Sequence, residues 1–448
     1  MTRVKAFDCR WSIGASVALA IGFAPLDAFA QAAPPPTPPA APPPAAAAPA
    51  APAAAPAPAE PAPAAAAPTP PPPDLAPAPP PPPPPAEAAP PPPPPPTEDE
   101  KLPSIDVGAW LRAGLQFQNG NDPKKLNDQH FDTVYGELHL GGKVHKNVSY
   151  TLNLNANGFA GTAGIMDLVI GLDFQDEFHI WSGQLLTPVD RTNFSGPFFI
   201  SPWNYPGVFV QYLPGAPVIT PHGEDHNGRS VGSVVWGDIN KGFFKYYAGM
   251  MNLQNEQQSP LFSGRLVINP VGKEPGYYGS STYYGDQNIV GLGIGGQYQH
   301  KGSIGPAAAA GGPPPTKDYG EFNADILAEF KLGDSGTLTG EGAYYHFAGD
   351  YEPANDMFFL VASFLTPNVG PGKLQPMFRF EDATRKAAAA TGTPGETLTQ
   401  EDVQLAYVVK EAQMRGLIGF SHVDWKQDGG APDKIGNAIE IGLQTIQF

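Results

Sequence analysis

Cysteine, charged residues and long apolar runs are all scarce in this sequence. The 448 residues include a single cysteine, Cys9, and only 15% of them are charged. Cys9 lies between Asp8 and Arg10, without the apolar and small residues that precede a lipoprotein cysteine. It also belongs to an N-terminal segment that we expect to be removed. A mature chain without cysteine excludes disulfide scaffolds, thiolate metal sites and cysteine nucleophiles.

No apolar stretch is long enough for a permanent membrane helix. The longest one after the N-terminal segment, Met357–Leu365, is interrupted by Ser363 and is about half of the roughly 20 residues that such a helix needs. The first thirty residues instead have a basic start, an apolar run over 13–26 and the small residues Ala28 and Ala30. This arrangement predicts a signal peptide over residues 1–30, cleaved after Ala30.

Residues 31–103 form a segment made almost entirely of proline and alanine. Residues 31–100 contain 34 prolines and no Ile, Val, Phe, Tyr or Trp. Such a chain cannot bury a core and favours extended polyproline II, so 73 residues span at most roughly 220 Å. We expect a disordered periplasmic linker, which is either a stalk that contacts the cell wall or a simple tether.

Acidic residues outnumber basic ones in the remaining chain. Of the total formal charge of −17, residues 1–30 carry +1 and residues 31–101 carry −5, which leaves −13 on the C-terminal part. This sign argues against nucleic acid and against anionic surfaces as partners.

The dominant pattern after Ser104 is strict two-residue alternation. In Val148–Asn155 every even position is apolar and every odd position polar, which places the two sets on opposite faces of a strand. Phe322–Phe330 repeats the pattern, with Glu321, Asp325 and Glu329 on the polar side. About sixteen segments qualify as strands: 104–118, 131–143, 147–158, 163–175, 177–187, 228–238, 241–252, 260–270, 288–301, 319–332, 335–347, 356–366, 373–382, 402–412, 415–426 and 436–448.

Sixteen strands are too many for an ordinary soluble sandwich, and their apolar faces need an environment without water. The sequence therefore predicts an all-β protein: a transmembrane antiparallel β-barrel over residues 104–448, in the outer membrane and in contact with its lipid. The segment from Thr187 to Asn227 is the longest loop. The ending Ile446-Gln447-Phe448 is similar to the assembly signal of such barrels, and we expect a bulge near Gln444 that switches the face of the last strand.

Several short motifs resemble the phosphate-selective porin O and P family. They are Ser182–Pro188, Gly228–Gly232, Tyr247–Asn252, Ser263–Leu266 and Gln375–Glu381. The resemblance covers most of 104–448 and implies a sixteen-stranded homotrimeric porin, a long loop folded into the lumen and a ladder of arginines that draws phosphate along the pore.

The charges assigned to the lumen do not form such a ladder. By alternation the inward bases are Arg112, Lys245, Arg265, Lys331 and Arg379, and the inward acids are Asp106, Glu137, Asp167, Asp173, Glu321, Asp325, Glu329 and Glu381. We therefore expect a general or mildly cation-preferring pore for small hydrophilic solutes or ions, with Asp190 and Arg191 of the long loop as constriction charges. The alternative for each residue is a solvated wall without a selective role.

The long loop is rich in aromatic residues. They are Phe194, Phe198, Phe199, Trp203, Tyr205, Phe209 and Tyr212. They either form a stacking surface for sugars or aromatic solutes, or pack the loop against the inner wall.

Three chemical motifs carry no function here. The spacing Gly291-x-Gly293-x-x-Gly296 matches a dinucleotide fingerprint but lies inside an alternating strand. His222–His226 has metal-ligand residues without a second ligand group. No serine lies in a nucleophile elbow, so we expect neither an enzyme, nor a metal, nor a cofactor. Two hypotheses remain: a diffusion porin, and a structural anchor whose stalk reaches the periplasm or cell wall.

Overall fold

The computed structural model describes residues 102–120, 129–157, 162–205, 228–252, 259–304, 315–349, 354–387, 394–429 and 433–447. The predicted signal peptide, the Pro/Ala segment up to residue 101 and residues 206–227 of the long loop lie outside this part. This part contains one short α-helix, α1 (Arg191–Ser195), and two 3-10 turns, Gly333–Ser335 and Glu411–Gln413. The strands are β1 (Asp106–Gly120), β2 (Gln129–His145), β3 (Val148–Asn157), β4 (Thr162–Gln175), β5 (Phe178–Leu186), β6 (Arg229–Ile239), β7 (Phe244–Asn252), β8 (Leu261–Val271), β9 (Ile289–Ile304), β10 (Thr316–Lys331), β11 (Thr337–Ala348), β12 (Asp356–Leu365), β13 (Asn368–Val369), β14 (Gly372–Arg385), β15 (Glu396–Lys410), β16 (Met414–Gln427) and β17 (Lys434–Gln447).

The strands form one closed antiparallel barrel. Each pairs with its neighbours in the chain, and β1 closes the sheet against β17 from Ala109 opposite Gln447 to Gly120 opposite Gly436. The two-residue β13 belongs to the turn before β14, so sixteen of the described strands make the wall. Closure leaves no unpaired edge in this wall, as a membrane barrel requires. The predicted fold and strand number are confirmed.

The wall has an apolar outer face and a polar inner face. Along β10 the side chains of Phe322, Ile326 and Phe330 are exposed on the outside, whereas Asp325 and Glu329 are buried inside. This alternation follows from the period of two in a strand and confirms the predicted faces. Within the described part of the chain, no helix has the length and apolarity that a membrane crossing needs.

A bulge occurs in β4, where the sequence pattern does not show one. Asn153 pairs with Asp167 and Leu154 with Ile165, so Met166 is an extra residue between two pairs. Met166 is 5% exposed and faces inward, whereas Ile165 is 42% exposed on the outside. The two-residue alternation of the sequence predicts Met166 on the outer face together with Leu168 and Ile170. This prediction is wrong, because the extra residue shifts the register.

The bulge expected near Gln444 is absent from the described part of β17. The register against β1 is unbroken from Gly436 to Gln447. Ile446 accordingly faces inward, where it packs in a cluster with Phe198 and Leu417, and Leu443 faces outward. The expectation was wrong because the inner face accepts an apolar side chain here: the long loop brings its own apolar partners into the lumen.

The two ends of the barrel differ in their connections. At the end that we call the short-turn end, six connections have two to six residues, whereas the connection from β8 to β9 runs over residues 272–288. We call this connection the inward segment. The connection from β5 to β6, which we call the long loop, covers residues 187–228 at the opposite end, because connections alternate between the ends of an antiparallel barrel.

Candidate functional site: the lumen

The long loop enters the lumen beginning at Thr187 and forms α1 against the far wall. Asp190 is the N-cap of α1: its Oδ1 accepts a hydrogen bond from the backbone N–H of Asn193 at 3.4 Å, and its Oδ2 accepts one from the Tyr345 hydroxyl of β11 at 2.6 Å. Burial raises the pKa of Asp190 to about 6, although the hydrogen bond from Tyr345 lowers it. One carboxylate thus starts the helix and ties it to the wall.

Arg191 is the centre of a buried charge cluster. Its Nη1 donates to Oε1 of Glu274 at 2.7 Å and its Nη2 to Oε2 at 3.2 Å. Its Nε lies 3.6 Å from Oδ1 of Asp325, which is also held by Arg265 at 2.5 Å and 2.9 Å. Burial would raise the pKa of Glu274, but Arg191 and Lys245 outweigh that effect and lower it to about 2. Glu274 is therefore ionised at neutral pH.

Three glycines of β9 make room for this cluster. A Cβ atom on Gly295 would lie 2.0 Å from the carbonyl oxygen of Val189, and one on Gly291 would lie 2.6 Å from Nη2 of Arg191. A Cβ atom on Gly293 would lie 2.4 Å from Nη2 of Arg265. These glycines therefore allow the long loop to approach the wall closely.

Basic and amide side chains of the opposite wall bind the backbone carbonyls of the long loop. Arg415 donates to Ile200 O at 2.9 Å and to Ser201 O at 3.2 Å, and Arg379 donates to Asn204 O at 2.7 Å. Arg112 donates to the carbonyl of Trp203, and its guanidinium lies 3.8 Å from the centre of the Trp203 ring. Gln444 donates to Phe198 O at 2.9 Å, and Gln404 to Ser201 O at 3.2 Å. These basic and amide side chains therefore hold the long loop against the inner wall.

The described aromatic residues of the loop pack mainly against the wall. Phe194 lies 5.0 Å from Tyr247 and 5.2 Å from Tyr277, measured between ring centres. Phe198 and Trp203 are fully buried in a cluster with Leu417 and Ile446, among others. The structure agrees with the packing interpretation for these three residues, while Phe209 and Tyr212 lie outside the described residues.

The inward segment reaches the same region from the short-turn end. The Tyr277 hydroxyl donates to Leu186 O at 2.7 Å, and Lys245 of β7 donates to Tyr278 O at 3.1 Å. Glu329 of β10 accepts the backbone N–H groups of Tyr283 and Gly285, the latter at 2.9 Å. Arg191 of the long loop donates to Glu274 and to Ser280 O, so the inward segment and the long loop meet inside the barrel.

A cavity of about 1130 Å³ remains beside β1–β4. It runs from the long loop to the short-turn end, and its lining includes Trp110, His139, Phe199 and the inward segment. Its acidic lining residues are Asp106, Glu137, Asp167, Glu274, Asp286 and Glu411, and among the described residues its one arginine or lysine is Arg229. An acid-rich wall of this kind concentrates cations.

The predicted site residues fall into separate groups. Asp190, Arg191, Lys245, Arg265 and Asp325 meet in the charge cluster. Arg379 contacts Glu381 at 2.9 Å and Asp402 at 2.6 Å, Glu321 accepts from Tyr319 and Asn323, and Glu329 holds the inward segment. Arg112 binds the long loop, whereas Glu137 and Asp167 line the large cavity. Lys331 is exposed at the end of β10.

Asp173 lies apart from these groups. It belongs to a second cavity of about 840 Å³ at the short-turn end, where it accepts hydrogen bonds from Ser149 at 2.6 Å and Trp181 at 3.0 Å and contacts His179 at 2.8 Å. The structure thus does not bring Asp173 together with the constriction residues.

Several inward charges are not among the predicted site residues. Asp402 and Arg415 follow the alternation of their strands and are buried inside, and β15 begins at Glu396 instead of the predicted 402. Glu274 lies in a connection, where no periodicity marks an inward position. His222–His226 falls outside the described residues.

A closed sixteen-stranded barrel with an apolar exterior, a charged lumen and a loop folded inward defines the class: this is the fold of outer-membrane porins. No protein-family model matches the chain, and a comparison with curated protein sequences finds no match. A similar solved structure is OprB of Pseudomonas putida, with 8% identity and a TM-score of 0.55, covering 76% of this chain and 94% of that chain.

Two further solved structures are similar. They are OmpT of Vibrio cholerae in a trimer form (11% identity, 77% of this chain and 99% of that chain, TM-score 0.48) and the anion-selective porin from Comamonas acidovorans (11% identity, 76% and 99%, TM-score 0.46). At such identities the likeness is one of fold. The resemblance to the phosphate-selective porin O and P family stays a prediction.

Proposed function

We propose that this protein is an outer-membrane channel for the passive diffusion of small hydrophilic solutes and ions, with a preference for cations. The observation that carries the proposal is the lining of the large cavity, which holds six carboxylates and one arginine. Asp167 is paired with Arg229 at 3.1 Å and Glu274 with Arg191 at 2.7 Å, so Asp106, Glu137, Asp286 and Glu411 are the acids in excess. The apolar outer face of the closed wall supports insertion in lipid.

The distribution of paired charges supports the cation preference. Among the inward bases, Arg191 and Arg265 are neutralised by Glu274 and Asp325, and Arg379 by Asp402. In contrast, Asp106, Asp286 and Glu411 are exposed at the mouth of the cavity. Bases that are neutralised or tied to loop carbonyls attract solutes little, so the exposed acids set the sign of the potential.

We also propose that the chain is related to the phosphate-selective porin O and P family. The proposal extends to the barrel and its inward loop, but it does not include anion transport. We also propose a homotrimer, which chemical cross-linking of the purified protein in mild detergent tests. No observation on the described residues favours the anchor alternative, whose linker lies outside them.

Conductance in planar bilayers tests the channel itself. The folded protein is expected to give discrete steps whose size grows with KCl concentration, because a water-filled pore conducts in proportion to its ions. Heat-denatured protein from the same preparation serves as the control. A correctly folded barrel that gives no steps would overturn the proposed function.

A further inference from the structure

One connection at the short-turn end is unlike the others there. The six short connections have two to six residues, whereas the inward segment has 17, from 272 to 288. Val271 of β8 pairs with Val290 of β9, so the two strands could be joined at this point by a two-residue turn. The extra length is therefore not needed to close the barrel.

The inward segment turns into the lumen at its first residues. Gly272 has a φ of 72°, in the left-handed region that glycine tolerates. The backbone N–H of Gly276 then donates to Oδ2 of Asp238, an inward residue of β6, at 2.7 Å. A Cβ atom on Gly242 would lie 2.5 Å from the backbone of Glu274, so the segment passes directly against the turn between β6 and β7. These contacts direct the chain inward instead of across the barrel mouth.

Wall carboxylates and hydroxyls satisfy the polar groups of the segment. Glu329 accepts from the Thr282 hydroxyl at 2.8 Å and from the N–H groups of Tyr283 and Gly285. Glu341 of β11 accepts from the Ser281 hydroxyl at 2.9 Å. Because buried backbone donors need partners, these inward acids fix the path of the segment.

The segment also docks on the long loop. Arg191 donates to Glu274 through two bonds and to Ser280 O at 3.0 Å, and the N–H of Ser281 donates to Phe199 O at 3.1 Å. The two connections, which come from opposite ends of the barrel, thus form one hydrogen-bonded unit. Phe194 of the long loop and Tyr277 of the inward segment pack in one apolar cluster with side chains of β6–β8, next to the charge cluster.

We propose that the inward segment 272–288 is a second constriction element, which together with the long loop confines solutes to the cavity beside β1–β4. The inference rests on the proposed channel function and adds the element that sets the width of the path. Tyr278, Gly279, Ser280 and Tyr283 of the segment form part of the lining of that cavity.

Replacement of the segment tests the proposal. Residues 272–289 are exchanged for Asn-Gly, which joins Val271 to Val290. A pore limited by this segment should show at least about a twofold rise in single-channel conductance, because conductance follows the narrowest cross-section. Conductance equal to that of the wild type, from a variant that is folded and inserted, would overturn the proposal.

A thiol probe keeps the proposal testable if that replacement does not fold. The predicted mature chain has no cysteine, so Tyr278→Cys introduces a single thiol in the cavity wall at a side chain that is 39% exposed. Reaction with a charged methanethiosulfonate is expected to lower the conductance of open channels stepwise. The matched control is Asp334→Cys, an exposed residue on the short turn between β10 and β11 at the same end.

The outcomes separate the two claims. A wild-type barrel without conductance contradicts the proposed function. A conducting wild type whose Tyr278→Cys variant is labelled but keeps its full conductance contradicts the second constriction element alone. Block of the Tyr278→Cys channel, with no effect on Asp334→Cys, supports it.

Discussion

Glu274 accepts two hydrogen bonds from the Arg191 guanidinium, at 2.7 Å and 3.2 Å, and this pair joins two connections that enter the barrel from opposite ends. Lys245 of the wall lies 3.8 Å from the same carboxylate. The pair therefore determines both the position of the long loop and the position of the inward segment. Because its charges are neutralised within the cluster, the exposed acids determine the electrostatic potential of the pore.

Glu274→Gln should loosen the barrel interior. The substitution leaves the buried Arg191 with Asp325 at 3.6 Å as its remaining acidic contact, and loss of one partner of a buried ion pair costs about 3–5 kcal/mol. We expect a lower temperature for loss of the compact form on SDS gels, and noisier open channels. Lys273→Ala, at the exposed neighbouring position, is the control and should behave like the wild type. Equal melting temperatures for Glu274→Gln and the wild type would contradict the role of the Arg191–Glu274 pair in joining the long loop to the inward segment.

Asp325→Asn should affect stability more than ion preference. Asp325 is buried between Arg265 and Arg191, so its neutralisation leaves two guanidinium groups undercompensated inside the barrel. We expect a clear fall in thermal stability in detergent. A variant that keeps wild-type stability and instead shows a large shift of reversal potential would show that Asp325 is a pore charge.

Protonation of Asp190 should stabilise the protein below pH 6. Burial raises its folded-state pKa to about 6, above the value of about 3.9 in an unfolded chain. A raised pKa means that the folded state retains a proton that the unfolded chain releases. This contribution to stability is full below about pH 4 and is lost as the pH rises through 6, with a maximum of about 3 kcal/mol.

Thermal unfolding of Asp190→Asn between pH 4 and pH 8 measures this effect. Asparagine keeps the cap and accepts from Tyr345 without titrating, so the stability of the wild type relative to the variant should increase as the pH falls. Parallel pH profiles for the two proteins would mean that Asp190 does not titrate in this range.

Gly295→Ala should displace the long loop. The added Cβ atom would meet the Val189 carbonyl oxygen at 2.0 Å, a backbone atom that cannot rotate away. Overpacking of this kind typically costs about 1–3 kcal/mol. Gly264→Ala in the adjacent β8 is the matched control, because its Cβ atom would be an ordinary 3.7 Å from the nearest atom. Conductance and thermal stability should change in the first variant only; equal behaviour would contradict the role of Gly295 as a seat for the loop.

The strands and their faces could be predicted from the sequence, because a strand repeats every two residues and only one face meets lipid. In β10, Phe322 is exposed on the outer face and Glu329 is buried on the inner face, as the alternation predicts. The bulge at Met166 could not be predicted, since an extra residue leaves the local composition unchanged. Most residues of the constriction could not be predicted either. Glu274 lies in a connection, where no periodicity marks an inward position. The role of Gly295 depends on its contact with Val189 of the long loop, which is distant in the chain.

The reversal potential across a KCl gradient tests the central claim, a cation-preferring pore governed by exposed acids, most directly. It is measured for the wild type, for the triple variant Asp106→Asn, Asp286→Asn and Glu411→Gln, and for the control Asp334→Asn, an exposed acid outside the cavity lining. We predict a wild-type potential displaced toward that of K⁺, a triple variant much closer to zero and an unchanged control. A wild-type potential displaced toward that of Cl⁻, or a triple variant identical to the wild type, would contradict the account.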